Sequence, residues 1–288
     1  MSEWVIGIIG GSGLYEIDAL EGAQRIAVGT PWGEPSDELL TGRIAGVKFV
    51  FLPRHGRGHR IPPGELNARA NIDALKRAGC TDLLAISAVG SLREELAPGR
   101  FVLVDQYLDR TVARASSFFG PGLVAHVSMA DPVCPRLSAL AADAAEAAGA
   151  EVARKGCYVA IEGPHFSTRA ESRAYRAWGG DVIGMTGLPE AKLAREAELP
   201  YASVCMVTDY DCWREDIAAV DVAEILARLG ANAGTARRLI EELARLLPKI
   251  RAASPIDTNL DSAIVTAPEA RDPAMLAKLD AILRRPAG

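Results

Sequence analysis

Short runs of apolar residues recur along the 288-residue chain, at 5–9, 48–52, 83–87, 101–104, 157–161, 182–184 and 201–207. Runs of this length, rich in β-branched residues and closed by small or polar ones, read as buried strands. Amphipathic segments separate several of them. Residues 67–78 end at Gly79, a good helix terminator, and 135–148 is alanine-rich. Segments 170–178 and 189–198 follow, the second with Pro189 at its first position, where proline is tolerated. A long segment at 222–247 contains Gly230 and Gly234, which could divide it, and a last helix is expected near 273–284. This alternation predicts a single α/β domain with a mostly parallel or mixed central β-sheet flanked by helices. The domain is expected over residues 1–250, with 251–288 a helical extension packed on it.

Composition removes several classes. The net charge is −5 with both signs interspersed, and no basic block stands out, so nucleic acid is not an expected partner. No uninterrupted apolar run approaches 18 residues, and no transmembrane helix is expected. The opening Met1-Ser2-Glu3-Trp4 lacks the basic stretch of a secretory leader. The five cysteines (Cys80, Cys134, Cys157, Cys205, Cys212) form no C-x-x-C pair, which suits reduced thiols in the cytoplasm. His55 and His59 are four apart, but Arg54-His-Gly-Arg-Gly-His59 is too glycine-rich for a metal-binding helix. No metal is expected.

The last apolar run ends in Thr208-Asp209-Tyr210-Asp211. On an extended chain Asp209 and Asp211 share one side. Two adjacent carboxylates repel, which raises one pKa. A protonated carboxyl then donates to a ring nitrogen while an ionised one accepts from an amino group, a match for the N7 and N6 edge of adenine. Taken alone, a solvated turn is the commoner explanation of such a pair.

Other strand-like runs also end in residues with chemistry to offer. Gly10-Gly11-Ser12-Gly13 gives flexible backbone N–H groups around a hydroxyl, suited to an anion. It lacks the third glycine of a dinucleotide fingerprint and the lysine of a nucleotide P-loop, and taken alone a tight turn is the commoner explanation. Arg54 and His55 follow the run at 48–52, where α/β proteins place ligands, and a guanidinium binds phosphate bidentately. Ser87-Ala88-Val89-Gly90-Ser91 reads as a ligand-admitting loop or as a plain small-residue turn. In Glu162-Gly-Pro-His-Phe-Ser-Thr168, Phe166 suits stacking on a flat ring, and Ser167 or Thr168 suits a helix cap. Met185-Thr186 closes the run at 182–184; a methionine there is more often core than contact.

These motifs, in this order from residue 10 to 213, resemble the trimeric purine nucleoside phosphorylases, nearest to the members that act on methylthioadenosine. The match covers about residues 4 to 250. The resemblance implies the phosphorylase fold and reversible phosphorolysis of S-methyl-5′-thioadenosine to adenine and 5-methylthioribose 1-phosphate. Inorganic phosphate is then a co-substrate, and no cofactor is needed. It implies a phosphate site at Ser12, Arg54, His55, Ser87, Ala88 and Thr186, and substrate contacts from Phe166, Met185, Asp209, Tyr210 and Asp211. It further implies Asp209 as the catalytic acid, Ser167 and Val222 as specificity positions, and His126 as a residue that reaches a neighbouring subunit's 5′ pocket. A cytoplasmic homotrimer is implied, with a hexamer left open. The rival readings are a phosphorylase for 6-oxopurine nucleosides or methylthioinosine, a nucleosidase, and a non-catalytic purine-binding module.

Overall fold

The computed structural model describes residues 3–11, 14, 18–214 and 222–285. Its strands are β1 (Val5–Gly10), β2 (Glu21–Ile26), β3 (Leu39–Ile44), β4 (Val47–Pro53), β5 (Asp82–Ser91), β6 (Phe101–Val104), β7 (Gln106–Arg110), β8 (Val152–Ala153), β9 (Cys157–Ile161), β10 (Val182–Gly184) and β11 (Tyr201–Asp209). The α-helices are α1 (Ala68–Arg77), α2 (Pro135–Ala147), α3 (Arg169–Ala177), α4 (Gly187–Glu196), α5 (Val222–Leu246) and α6 (Pro273–Lys278). The sheet is mixed, as expected. β1 runs parallel to both β4 and β5, and β5 runs parallel to β11. β10 is antiparallel to β5 but parallel to β9, which pairs in parallel with β7.

Both faces of the sheet are buried. Along β5, Leu83 and Ala85 face one apolar cluster, which α1, α4 and the C-terminal Leu279 and Ile282 complete. Leu84 and Ile86 face the other, closed by α2 and α5. Burial on both faces makes such strands continuous apolar runs, which is why they stand out in the sequence. Among the described residues no helix is long and apolar enough to cross a membrane.

Four strands are not anticipated by the apolar pattern: β2, β3, β7 and β8. β2 is almost wholly exposed, so it is held by backbone pairing with β3 and not by side-chain burial. β3 and β4 form a hairpin around Ala45 and Gly46, both at positive φ, the geometry of a tight two-residue turn.

The helices differ at their ends and not in existence. Thr168 and Glu171 cap α3 reciprocally, so Thr168 and not Ser167 is its cap. Leu188 is extended inside α4, so the regular helix starts at Pro189. It ends two residues before Glu198, which takes the left-handed conformation (φ 52°) that glycine usually fills. The Glu198 carboxylate accepts from the Leu260 N–H at 2.8 Å and pairs with Arg285. α5 runs unbroken through Gly230 and Gly234, and α6 stops at Lys278, shorter than expected.

Candidate active site

The site opens where two strands part from β5. β1 pairs with β5 only up to Ala85, and β10 joins it only from Gly90. β11 pairs with both Ala85 and Gly90, so β1 and β10 lie on the opposite edge from β11. Among the described residues that edge carries no strand ladder from Ile86 to Val89, and all four residues line a cavity of about 240 Å³.

Arg54 occupies this gap. It follows β4 directly and is 2% exposed. Its guanidinium donates to the Ile86 carbonyl at 3.1 Å and the Ile9 carbonyl at 3.2 Å, bridging the strands where they diverge. It also grips the Glu190 carboxylate in a fork, through Nε at 2.9 Å and a second nitrogen at 3.0 Å. The Tyr201 hydroxyl donates to the same carboxylate at 2.9 Å. Sequence reasoning missed Glu190 as a site residue, because an acid in the first turn of a helix looks like ordinary dipole complementarity. The available signal was its apolar surroundings: Leu188, Ala191, Leu193 and Ala194 are all buried.

His55 lines the cavity beside Arg54. Its Nδ1 lies 2.8 Å from the Ile61 carbonyl, and its ring stacks on His59 with centroids 4.2 Å apart. Burial, with the nearby Arg54 and His59 charges adding to it, pushes His55 down to about 4. The ring is therefore neutral at neutral pH. Nδ1–H donates to Ile61, which leaves Nε2 as an acceptor. His59, absent from the sequence expectations, lines the same cavity. Ser87 Oγ and Thr186 Oγ1 lie 3.4 Å apart, and with Ala88 they complete this end. The segment from Ser87 to Ser91 is not a loop: β5 continues through it, so its small side chains project from a strand. Ser12 lies outside the described residues.

At the other end Asp209 and Asp211 both line the cavity, but not through strand alternation. β11 stops at Asp209, with a register shift after Val207, and Asp211 sits in a turn at positive φ (51°). The Asp211 N–H donates to Asp209 Oδ1 at 2.7 Å, so a local side-chain turn brings the pair together. Asp209 Oδ2 accepts from Thr208 Oγ1 at 2.7 Å. Burial is the main reason that both carboxyls lie above their ordinary 3.8, and repulsion from Asp209 adds to the rise at Asp211. Space beside the pair is tight: a Cβ at Gly90 would stand 3.0 Å from Asp209 Oδ1 and 3.1 Å from Ile183.

Phe166, Ser167 and Met185 also line the cavity, with Phe166 half exposed at 51%. Tyr210 does not line it. Its hydroxyl donates to the Glu94 carbonyl at 3.2 Å and its ring meets Trp213 edge-on, because the turn that brings the two aspartates inward sends the residue between them outward. His126 is not among the lining residues either; its N–H donates to the Ala263 carbonyl at 2.8 Å. Val222 begins α5, and its side chain lies outside the described residues. Among the described residues no cluster of three His, Cys, Asp or Glu is placed to hold a metal.

Residues 5–245 match the family model of the phosphorylase superfamily. The chain belongs to that superfamily. It is 59% identical to the S-methyl-5′-thioadenosine phosphorylase of Cereibacter sphaeroides, over 98% of each chain. Among solved structures it is similar to a methylthioadenosine phosphorylase from an antarctic soil metagenomic library, with a TM-score of 0.92 and 45% identity over 99% of this chain and 100% of that one. It also resembles the Schistosoma mansoni methylthioadenosine phosphorylase in complex with adenine, with a TM-score of 0.81 and 40% identity over 85% of this chain and 92% of that one. Phosphorylase chemistry needs an anion and a leaving group at opposite ends of one pocket. The cavity is lined by the Arg54 guanidinium and the Ser87 and Thr186 hydroxyls, near Ile86 of β5, and by the half-buried carboxyls of Asp209 and Asp211, near Gly90 of the same strand.

Proposed function

We propose that this chain catalyses the reversible phosphorolysis of S-methyl-5′-thioadenosine to adenine and 5-methylthioribose 1-phosphate. One observation carries the reading: a single cavity is lined by Arg54, Ser87 and Thr186 and by the carboxyls of Asp209 and Asp211, with Arg54 bonded to the Ile86 carbonyl and Asp209 paired with Gly90 further along β5. A phosphate oxygen attacks C1′ and the C1′–N9 bond breaks. Positive charge develops on the sugar and negative charge on the purine. The phosphate, oriented by the hydroxyls and the Arg54 end, faces the sugar cation. Asp209, held toward its protonated form by burial, passes its proton to N7 of the departing base. Asp211 accepts from the 6-amino group. Neutral His55 presents an Nε2 acceptor, which fits a protonated phosphate oxygen. No metal or organic cofactor has a step in this scheme.

The methylthio end needs an apolar pocket, since it gains by leaving water. Met206 and Ala233 line the cavity with apolar surface. In this reading Ser167 and Val222 tune the choice of substrate, and His126 serves a neighbouring copy in a cytoplasmic homotrimer engaged in purine and methionine salvage. The deciding measurement is adenine release from methylthioadenosine with and without inorganic phosphate, alongside adenosine and inosine. Phosphate-dependent release is expected; release without phosphate would make the chain a nucleosidase, and no release a binding protein.

A further inference from the structure

Segment 111–117 takes no part in the proposed chemistry, yet it sends one buried side chain beneath both walls of the cavity. The Arg114 side chain is 6% exposed. Its Nε donates to Glu162 Oε1 at 3.1 Å. One terminal nitrogen donates to the carbonyls of Met185 at 2.5 Å and Leu188 at 2.8 Å. The other donates to the carbonyls of Ile161 at 3.2 Å and Glu162 at 2.6 Å. A guanidinium has five N–H donors, and these contacts use all five.

The acceptors belong to two separate stretches of chain. Ile161 and Glu162 stand where β9 ends and the loop to Phe166 begins. Met185 and Leu188 flank Thr186, just past the end of β10. Carbonyls at strand ends lose their ladder partners and need others when buried. We propose that Arg114 is a positioning residue for the site: it ties the Phe166 loop and the Met185–Thr186 turn to one planar group and so sets the distance between the purine wall and the phosphate end. The inference rests on the phosphorolysis reading for its functional consequence, but its structural content is independent of it. Lysine cannot replace the group, because three donors on a point charge do not reach carbonyls on two sides at once.

The test compares Arg114→Ala and Arg114→Lys with the unaltered protein, measuring adenine release at varied methylthioadenosine and varied phosphate, with melting midpoints recorded for each. Folded Arg114→Ala should lose about 100-fold in kcat/KM, the scale of a misplaced reacting geometry. Low-millimolar guanidinium chloride should restore about tenfold of that loss, while sodium chloride and urea at the same concentration restore none. If the alanine variant does not fold, Arg114→Lys decides, and a loss of about tenfold or more at an unchanged melting midpoint is expected. Three results overturn the proposal: folded Arg114→Ala within about threefold of the unaltered protein, no rescue by guanidinium, or a fully active Arg114→Lys. The unaltered protein separates the two readings. Should it release no adenine, the phosphorolysis reading falls, and a crystal structure of the variant then decides for Arg114 by whether the 162–168 and 185–188 backbones have moved.

Discussion

Arg54 and Glu190 are joined fork to fork inside the protein, at 2.9 and 3.0 Å, with side chains 3% and 6% exposed. The residue positioned for an anion is thus already held by a buried carboxylate. Its plane is set before any substrate arrives, and the backbone carbonyls of Ile9 and Ile86 hold it between β1 and β5.

Replacing Glu190 with Gln should therefore damage two things. Removing the carboxylate from a buried ion pair costs on the order of 3–5 kcal/mol, readable as a shift in the urea midpoint. The loosened fork should raise the KM for phosphate more than the KM for the nucleoside. Equal changes in both constants would mean that Glu190 supports the fold and not the anion end.

Asp209→Asn separates catalysis from stability. Asn keeps an oxygen acceptor but has no acidic proton, so turnover should fall about 10²–10⁴-fold with a smaller change in adenine binding. Because burial raises Asp209 above its ordinary 3.8, its ionised form weighs against folding at neutral pH. The variant should melt at a higher temperature than the parent near neutrality, and the advantage should shrink as pH falls toward 4. A lower midpoint across the whole range would contradict the burial argument.

His55 makes stability depend on pH in a definite direction. Its folded pKa of about 4 lies below the ordinary 6.5, so between those values the unfolded chain binds more protons than the folded one. The contribution is whole above pH 6.5 and lost as pH falls toward 4, a change on the order of 3 kcal/mol. His55→Asn should flatten the denaturation midpoint over that window. An unaltered slope would show that His55 is already protonated in the folded protein.

Gly90→Ala probes the space beside the carboxyl pair. The added methyl would stand 3.0 Å from Asp209 Oδ1 and 3.1 Å from Ile183, closer than side-chain contacts normally allow. The carboxyl must turn, and kcat should fall by about tenfold or more while far-ultraviolet circular dichroism stays unchanged. Undiminished kcat would show that Asp209 need not keep its present orientation.

Much of this protein follows from the chain alone. Strands buried on both faces announce themselves as apolar runs, and helices such as α1 and α3 carry their own caps in Asn67, Thr168 and Glu171. Motif order was enough to nominate Arg54, His55, Ser87, Thr186, Asp209 and Asp211, which the fold brings to one cavity. Tertiary structure decided what those groups are attached to. β2 is invisible in sequence because an exposed strand is held by backbone pairing, which leaves no side-chain pattern. Glu190 and Arg114 escaped notice because their roles depend on partners 136 and about 50–70 residues away. Local periodicity reports which face of an element is buried; it carries no information about which distant polar group that face will meet, and that is settled only when the strands part around β5.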